Sequence, residues 1–165
     1  MIFLTVSVLA LSFPGCGKKE NTSDRTLRVG IVTYTQDDPF INTMTEQIRE
    51  DLKLKESKDM KILVSVKNGD NDQRDQDELV EEMIAAGCDV LCVNLVDRTA
   101  PSDIIKAARQ EKIPVIFFNR EPVEEDMNRW EKLYYVGADA KESAVLEGKI
   151  LVDAYRKHGK CSADS

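Results

Sequence analysis

The sequence predicts an α/β fold, an open parallel sheet of about five strands with helices on both faces. Short apolar runs alternate with amphipathic stretches of helical period between residues 27 and 157, and this alternation is typical of βαβ units. Polar loops at residues 34–40 and 94–97 directly follow the first and third apolar runs. Ligands of open parallel sheets bind outside the carboxyl ends of the strands, so these two loops form the candidate site.

The first strand and the first helix have the clearest signals. Residues 27–32 form an apolar run that indicates a buried strand. Asp38 is a favourable N-cap, and Pro39 follows it at the position where a helix starts. The helix then carries an apolar side chain at every fourth residue, which gives it one apolar face. These side chains are Phe40, Met44, Ile48 and Leu52.

Apolar runs also predict four more strands. They cover residues 60–66, 89–93, 114–118 and 133–137. Between the last two strands, residues 120–132 are rich in charge and predict a loop or an irregular segment. The sheet therefore has its five strands within one continuous stretch of chain.

Three further helices are predicted from apolar periodicity. An acidic helix follows the turn at residues 68–72 and stops at Gly87, a favourable residue after a helix end. A second helix covers residues 101–110, and the last one covers about residues 141–157. The last helix has apolar side chains that we expect to face the sheet. They are Ala144, Val145, Ile150, Leu151 and Ala154.

Charge argues against a nucleic-acid partner. The chain has 23 basic and 30 acidic residues, all of them after residue 15, and a formal net charge of −7. A nucleic-acid-binding domain would need a basic face. The length is sufficient for one hydrophobic core of ordinary size.

Signatures of enzymes and metal centres are missing from the sequence. It has no Gly-rich phosphate loop and no G-x-S-x-G motif, and its one histidine, His158, lies near a polar C-terminus. Cys88 and Cys92 lie four residues apart around a predicted strand, too far to form a disulfide without a sharp bend. No paired Cys or His accompanies them to build a zinc site. We therefore expect no catalytic residue and no metal site.

The N-terminus predicts export and a lipid anchor. Residues 2–13 form an apolar stretch of signal-peptide length, too short to span a membrane. Gly15 and Cys16 follow, and a small residue before a cysteine at this point resembles the bacterial lipoprotein signal. We expect residues 1–15 to be removed, Cys16 to be lipidated, and residues 16–26 to act as a tether. The alternative is an ordinary secretory signal in which the cysteine has no role.

Six short motifs occur in a distinctive order and spacing. They are YTQDDPF at 34–40, NDQ at 71–73, VNLVD at 93–97, VIFFNREP at 115–122, YYVGAD at 134–139 and KES at 141–143. In this order they resemble the galactose/glucose-binding proteins of bacterial ABC sugar transport, within the type I periplasmic binding protein superfamily. The resemblance runs from about residue 27 to residue 159, with Ala138 as a mild departure from the usual threonine.

The resemblance implies a protein of two Rossmann-like α/β lobes that clamp a sugar between them. Residues 27–159 would be the N-terminal sugar-binding lobe, and residues 160–165 a tail or the truncated start of the second lobe. The implied function is capture of a hexose, galactose or glucose, outside the cytoplasm. The implied partner is an ABC-transporter permease, with a chemoreceptor as a further alternative. Calcium would belong to the second lobe, so we expect no cofactor in this chain.

Three site residues carry over by this resemblance. Asp38 would accept hydrogen bonds from sugar hydroxyls, Phe40 would lay its ring on the apolar face of the sugar, and Asn94 would offer a donor and an acceptor. Ordinary structural roles stay open for the same residues: a helix cap for Asp38, a core residue for Phe40, and a turn residue for Asn94. The loop at residues 119–122 would form the rim of the cleft.

Other functions share parts of this pattern. A phosphoryl-accepting receiver domain also has an acidic pair after its first strand and an aspartate after its third, here Asp97. It would need a hydroxyl residue where Asn119 stands and a lysine where Gly137 stands. A sugar-responsive repressor would begin with a DNA-binding helix-turn-helix. A binding protein for a pentose or an autoinducer-like sugar is the nearer alternative.

Overall fold

All five strands run parallel, in the order β2-β1-β3-β4-β5. The computed structural model describes residues 25–158. Its strands are β1 Arg25–Thr33, β2 Met60–Asn68, β3 Val90–Val93, β4 Val115–Phe118 and β5 Leu133–Val136. Strand β1 lies between β2 and β3, so the chain moves across the sheet in one direction from β1 to β2 and in the other from β2 to β3. The helices of these two connections therefore lie on opposite faces of the sheet. The predicted α/β class with an open parallel sheet is confirmed.

Helices follow each strand, as the alternation predicts. They are α1 Pro39–Leu54, α2 Gln73–Ala85, α3 Ser102–Gln110, α4 Glu124–Met127 and α5 Ala140–His158. The short helix α4 lies within residues 120–132, which the charge pattern had assigned to a loop or an irregular segment. The three acidic residues in its first turn interact favourably with the positive end of the helix dipole. Their charge therefore stabilises this short helix.

Strand β1 starts two residues earlier than the apolar run. Arg25 and Thr26 pair with Met60 and Lys61 of β2, and the Arg25 amide donates to the Asp59 carbonyl oxygen at 3.1 Å. Both residues are exposed, so hydrophobicity does not mark them. The predicted boundary between tether and lobe at residue 27 therefore falls inside the strand. The leader, Cys16 and residues 159–165 lie outside the described residues.

Each face of the sheet has its own apolar cluster. On one face Leu91, Val93 and Phe117 pack with α2 and α3, which contribute Val80 and Ile104. On the other face Val29, Ile31 and Phe118 pack with the predicted stripe of α1, of which Met44 and Ile48 are partly buried. Because all five strands run parallel, their carboxyl ends lie at the same edge of the sheet, where the loops that follow them gather.

Helix α1 covers only part of this face of the sheet. An apolar groove of about 510 Å³ lies there, and Cys92, Ile116 and Phe118 form part of its floor. We call it the sheet-face groove. Cys92 and Cys88 are free thiols, in agreement with their spacing.

Helix α5 does not cover this groove. All side chains from residue 141 to residue 157 are exposed, including Ile150 at 67% and Leu151 at 70%. The prediction that the apolar face of α5 packs on the sheet is therefore wrong for this structure. Periodicity states which side of a helix is apolar, but it does not state which surface covers that side. No helix among residues 25–158 is long and apolar enough to cross a membrane.

Candidate functional site

Backbone hydrogen bonds join the loops at the carboxyl edge of the sheet. The Gly69 amide donates to the Thr33 carbonyl oxygen and the Asn71 amide to the Tyr34 carbonyl oxygen, both at 2.8 Å. The Asn94 amide donates to the Val32 carbonyl oxygen at 2.9 Å. The loops after β1, β2 and β3 therefore form one connected surface, and both predicted polar loops lie on it.

Asp38 is held by three donors. Its Oδ1 accepts from the amides of Phe40 at 2.8 Å and Ile41 at 3.4 Å, which makes Asp38 the N-cap of α1. Its Oδ2 accepts from the phenol of Tyr34 at 2.7 Å. A carboxylate has about four lone-pair positions, so Oδ2 keeps one for a further donor. The cap and a role in ligand binding are compatible because they use different oxygens.

These contacts fix the charge states of the pair. The hydrogen bond from Tyr34 lowers the pKa of Asp38 below its ordinary value of 3.8, the two backbone donors act in the same direction, and desolvation opposes them. The same hydrogen bond raises the pKa of Tyr34 above 10.0. At neutral pH Tyr34 is therefore a donor, and Asp38 is an ionised group that can only accept.

Phe40 is a surface residue and not a core residue. Its side chain is 60% exposed, in the first turn of α1. It lies at the end of the sheet-face groove nearest the strand ends, together with Asn119, while Met44 and Ile48 line the groove further along α1. An exposed ring beside the capped carboxylate is available for stacking on a flat apolar surface.

Asn94 is fully buried at the end of β3. Its Nδ2 donates to the carbonyl oxygen of Phe118 at 3.0 Å, which ties β3 to β4. Its Oδ1 has no hydrogen-bond partner among residues 25–158. A buried acceptor without a partner is unfavourable by about 1–3 kcal/mol, so a donor from a ligand or from water would stabilise this arrangement.

Two glutamines of α2 hold the loop that follows Asn94. Gln76, which is fully buried, donates to the carbonyl oxygen of Asn94 at 2.9 Å and accepts from the Val96 amide at 3.0 Å. Gln73 accepts from the Asp97 amide at 2.9 Å. The sequence analysis missed these roles. Gln76 is a polar residue on the apolar face of α2, and this position in the sequence could have indicated its role.

Tyr34 was also missed as a site residue, although it belongs to the loop that drew attention to Asp38. The sequence analysis weighed the carboxylate and the phenylalanine ring of that loop and left its phenol without a role. Only the folded loop shows that Tyr34 reaches Asp38. Within the described part of the chain, no group of three or more His, Cys, Asp or Glu side chains could hold a metal ion.

Comparison with known proteins identifies the family to which this chain belongs. Residues 29–164 match the model of a periplasmic binding protein domain, which is most of the chain. The chain belongs to the periplasmic binding protein family. The D-galactose/methyl-galactoside binding periplasmic protein MglB of Haemophilus influenzae is 33% identical over 129 residues, which are 78% of this chain and 38% of that protein.

Other members of the family bind different sugars. The ribose import binding protein RbsB of Bacillus subtilis is 26% identical over 72% of this chain and 39% of its own length. A carbohydrate transporter solute binding protein of Chloroflexus aurantiacus, solved in complex with D-glucose, has a TM-score of 0.63 and 28% identity. The match covers 78% of this chain and 35% of that one. The chain thus spans about two fifths of the length of these two curated relatives, both of which are named as binding proteins.

Proposed function

We propose that this protein captures a hexose, such as galactose or glucose, outside the cytoplasm for import by an ABC transporter. One observation carries the proposal: Asp38 Oδ2 is an ionised acceptor that keeps a free position, and it follows β1 at the edge where such sheets bind ligands. Sugars present rows of hydroxyl donors. The periplasmic galactose-binding relative supports both the ligand class and the location.

Each proposed site residue has a distinct task. Asp38 accepts hydrogen bonds from sugar hydroxyls with its ionised carboxylate, and charge-assisted bonds are stronger than neutral ones. Phe40 stacks on the C–H face of the sugar, and its 60% exposure leaves the ring free to do so. Asn94 offers its Oδ1, which has no partner among residues 25–158; this atom is buried in the structure, so a sugar hydroxyl reaches it only after the loop that follows β3 moves.

The proposal extends to parts of the protein beyond the described residues. Residues 27–159 act as a first lobe, residues 160–165 are a tail or the start of a second lobe, and that second lobe supplies the other half of the site and any calcium site. Residues 1–15 direct export, and Cys16 carries the lipid that holds the protein at the cell membrane. The partner is an ABC permease, with a chemoreceptor as a further alternative. Closure of two lobes would exclude water and strengthen each polar contact with the sugar.

Isothermal titration of the protein expressed from its complete gene tests the ligand class. The panel is D-galactose, D-glucose, D-ribose and L-arabinose, and we expect heat with one or both hexoses. Phe40→Ala weakens binding without changing the order of preference, and Asn94→Ala weakens it by a factor equal to or smaller than that of Asp38→Ala. Binding of ribose with no heat from either hexose would assign the protein to another sugar branch, a result that the ribose-binding relative makes worth testing.

A further inference from the structure

A basic surface with one protruding leucine lies at the amino edge of the sheet, where α1 ends and β1 and β2 begin. Its members are Arg25, Lys53, Leu54, Lys55 and Lys58. All five side chains are exposed. Leu54, at 81%, is the most exposed large apolar side chain among residues 25–158. We call this surface the α1-end patch.

The backbone brings these residues to one corner of the molecule. Helix α1 ends at Leu54, and a turn of five residues, 55–59, leads directly into β2. The amide of Arg25, at the start of β1, donates to the carbonyl oxygen of Asp59 at 3.1 Å. The end of α1, the turn and the first residue of β1 therefore form one continuous surface.

The fold makes little use of this surface. Within residues 25–158, none of the four cations of the patch forms a salt bridge. Lys53 lies in the last turn of α1, where it interacts favourably with the negative end of the helix dipole, and this accounts for one of the charges. Leu54 belongs to neither apolar cluster of the described chain. Packing therefore does not explain an exposed leucine between lysines.

The patch is positive although the whole chain is negative. Its four cations and the two carboxylates of the turn, Glu56 and Asp59, give a local charge of +2, against −7 for the chain. Glu56 is partly neutralised, because its Oε1 accepts from the Ile62 amide at 2.9 Å. Charges are screened beyond about 8 Å at physiological ionic strength, so a nearby surface responds to the patch more than to the total charge.

We propose that the α1-end patch docks on an anionic membrane surface. Its cations lie against the lipid headgroups, and Leu54 enters the boundary between headgroups and acyl chains. Basic residues near an anionic leaflet are attracted to it, and an apolar side chain beside them adds buried apolar area. The inference goes beyond the proposed function, since it concerns the edge of the sheet opposite the sugar site and involves no sugar.

The position of the patch in the chain supports this partner. Arg25 is nine residues from Cys16, a distance of at most about 30 Å. A lipid on Cys16 would hold the patch close to the membrane, and a second weak contact then adds strongly to the first. Docking through the amino edge also places Asp38 beyond the far end of β1, about 30 Å from the headgroups, because β1 has nine residues.

Sedimentation with lipid vesicles tests the inference. The protein is expressed from its complete gene behind an ordinary secretory leader and with Cys16→Ser, so that it carries no lipid. We expect it to sediment with vesicles that contain about one third phosphatidylglycerol in phosphatidylcholine, and not with phosphatidylcholine alone. Sedimentation without vesicles is the blank. Added salt should release the protein, because the attraction is electrostatic.

Variants of the patch locate the contact. Lys55→Glu combined with Lys58→Glu should weaken binding to the anionic vesicles roughly tenfold or more. Leu54→Ser should weaken it about fivefold and leave its salt dependence unchanged, because only apolar contact is lost. The matched control is Lys106→Glu combined with Lys149→Glu, which changes the net charge equally at exposed lysines of α3 and α5. We expect the control to bind within about twofold of the wild type.

The outcomes separate this inference from the proposed function. Absence of wild-type binding to anionic vesicles, or equal binding to neutral ones, would overturn the inference. Equal losses in the patch variant and in the control would mean that total charge decides, and they would overturn it as well. Titration with D-galactose is independent of both, and the patch variant should keep the wild-type affinity. A protein that binds galactose but no vesicles retains the proposed function and loses only the membrane-docking surface.

Discussion

The phenol of Tyr34 donates a 2.7 Å hydrogen bond to Oδ2 of Asp38, while Oδ1 of the same carboxylate caps α1. This pair connects the fold to the proposed function. The cap fixes the carboxylate on the first turn of the helix, and the phenol fixes its orientation around that point. The remaining lone pair of Oδ2 is the polar position that the loop after β1 offers to a ligand.

Binding should depend on pH through Asp38. Its pKa lies below the ordinary 3.8, chiefly because Tyr34 donates to it, so the carboxylate stays ionised throughout the neutral range. We expect sugar affinity to be constant from about pH 8 to pH 5 and to fall below about pH 4, as the acceptor becomes protonated. The contribution of Asp38 to folding stability has the same sign: it is present above the unfolded pKa and is lost as pH falls through the lowered folded value. Titration calorimetry across this range checks the prediction, and affinity that already falls between pH 8 and pH 5 would contradict it.

Gln76 should matter for stability more than its distance from the sugar suggests. Gln76→Leu leaves the Asn94 carbonyl oxygen and the Val96 amide without their partner in a buried place. We expect a loss of about 2–4 kcal/mol in the free energy of unfolding, measured by urea denaturation. Gln47→Leu is the matched control on the exposed side of α1, where the side chain bonds only to Asp51, and it should change stability by less than about 0.5 kcal/mol. Equal stability of the two variants would show that Gln76 does not hold the loop.

The sequence predicted those parts of the site that depend on residues close to one another in the chain. Asp38 before Pro39 predicted the cap, and the apolar run predicted β1, because caps and buried strands depend on near neighbours in sequence. The burial of Asn94 and the glutamine contacts that hold its loop depend on α2 lying against the end of β3, which no local pattern records.

The packing of α5 was predicted wrongly. The sequence showed that this helix has an apolar face, but it did not show that the face is exposed. The same periodicity is found in a helix that packs on the sheet and in one that does not.

The sheet-face groove and the exposed face of α5 should make the isolated chain self-associate. Residues 17–165 leave Leu151 and Ile150 of α5 exposed at 70% and 67%, and apolar surfaces of this kind promote association. We expect light scattering to show oligomers that grow with concentration, and a broad thermal transition. The double variant Ile150→Glu and Leu151→Glu should associate less. The control Lys149→Glu, on the same helix, should associate as the unmodified chain does. A sharp monomeric transition of the unmodified chain would contradict this prediction.

Cys16 should determine membrane attachment. It lies outside the described residues, and the prediction rests on the apolar leader that ends at Gly15. Expressed with its leader, the protein should fractionate with membranes, because lipoproteins of this type carry more than one acyl chain and two chains anchor firmly where one does not. Cys16→Ser should release the protein or block its processing, while Cys161→Ser should leave it attached. Fractionation that is the same in wild type and Cys16→Ser would rule out the lipid anchor.

Titration of D-galactose into Asp38→Asn tests the central claim most directly. Asparagine keeps the cap of α1, since Asn and Asp are equally good N-caps, but it places an amide donor where Oδ2 accepts. The matched control is Asp72→Asn, because Asp72 caps α2 in the same way, with Oδ1 accepting from Arg74 and Asp75. We predict that both variants fold, with a small loss of thermal stability in Asp38→Asn from the missing Tyr34 hydrogen bond, and with galactose affinity reduced roughly tenfold or more only in Asp38→Asn. Wild-type affinity in Asp38→Asn would reduce Asp38 to a helix cap and contradict the account.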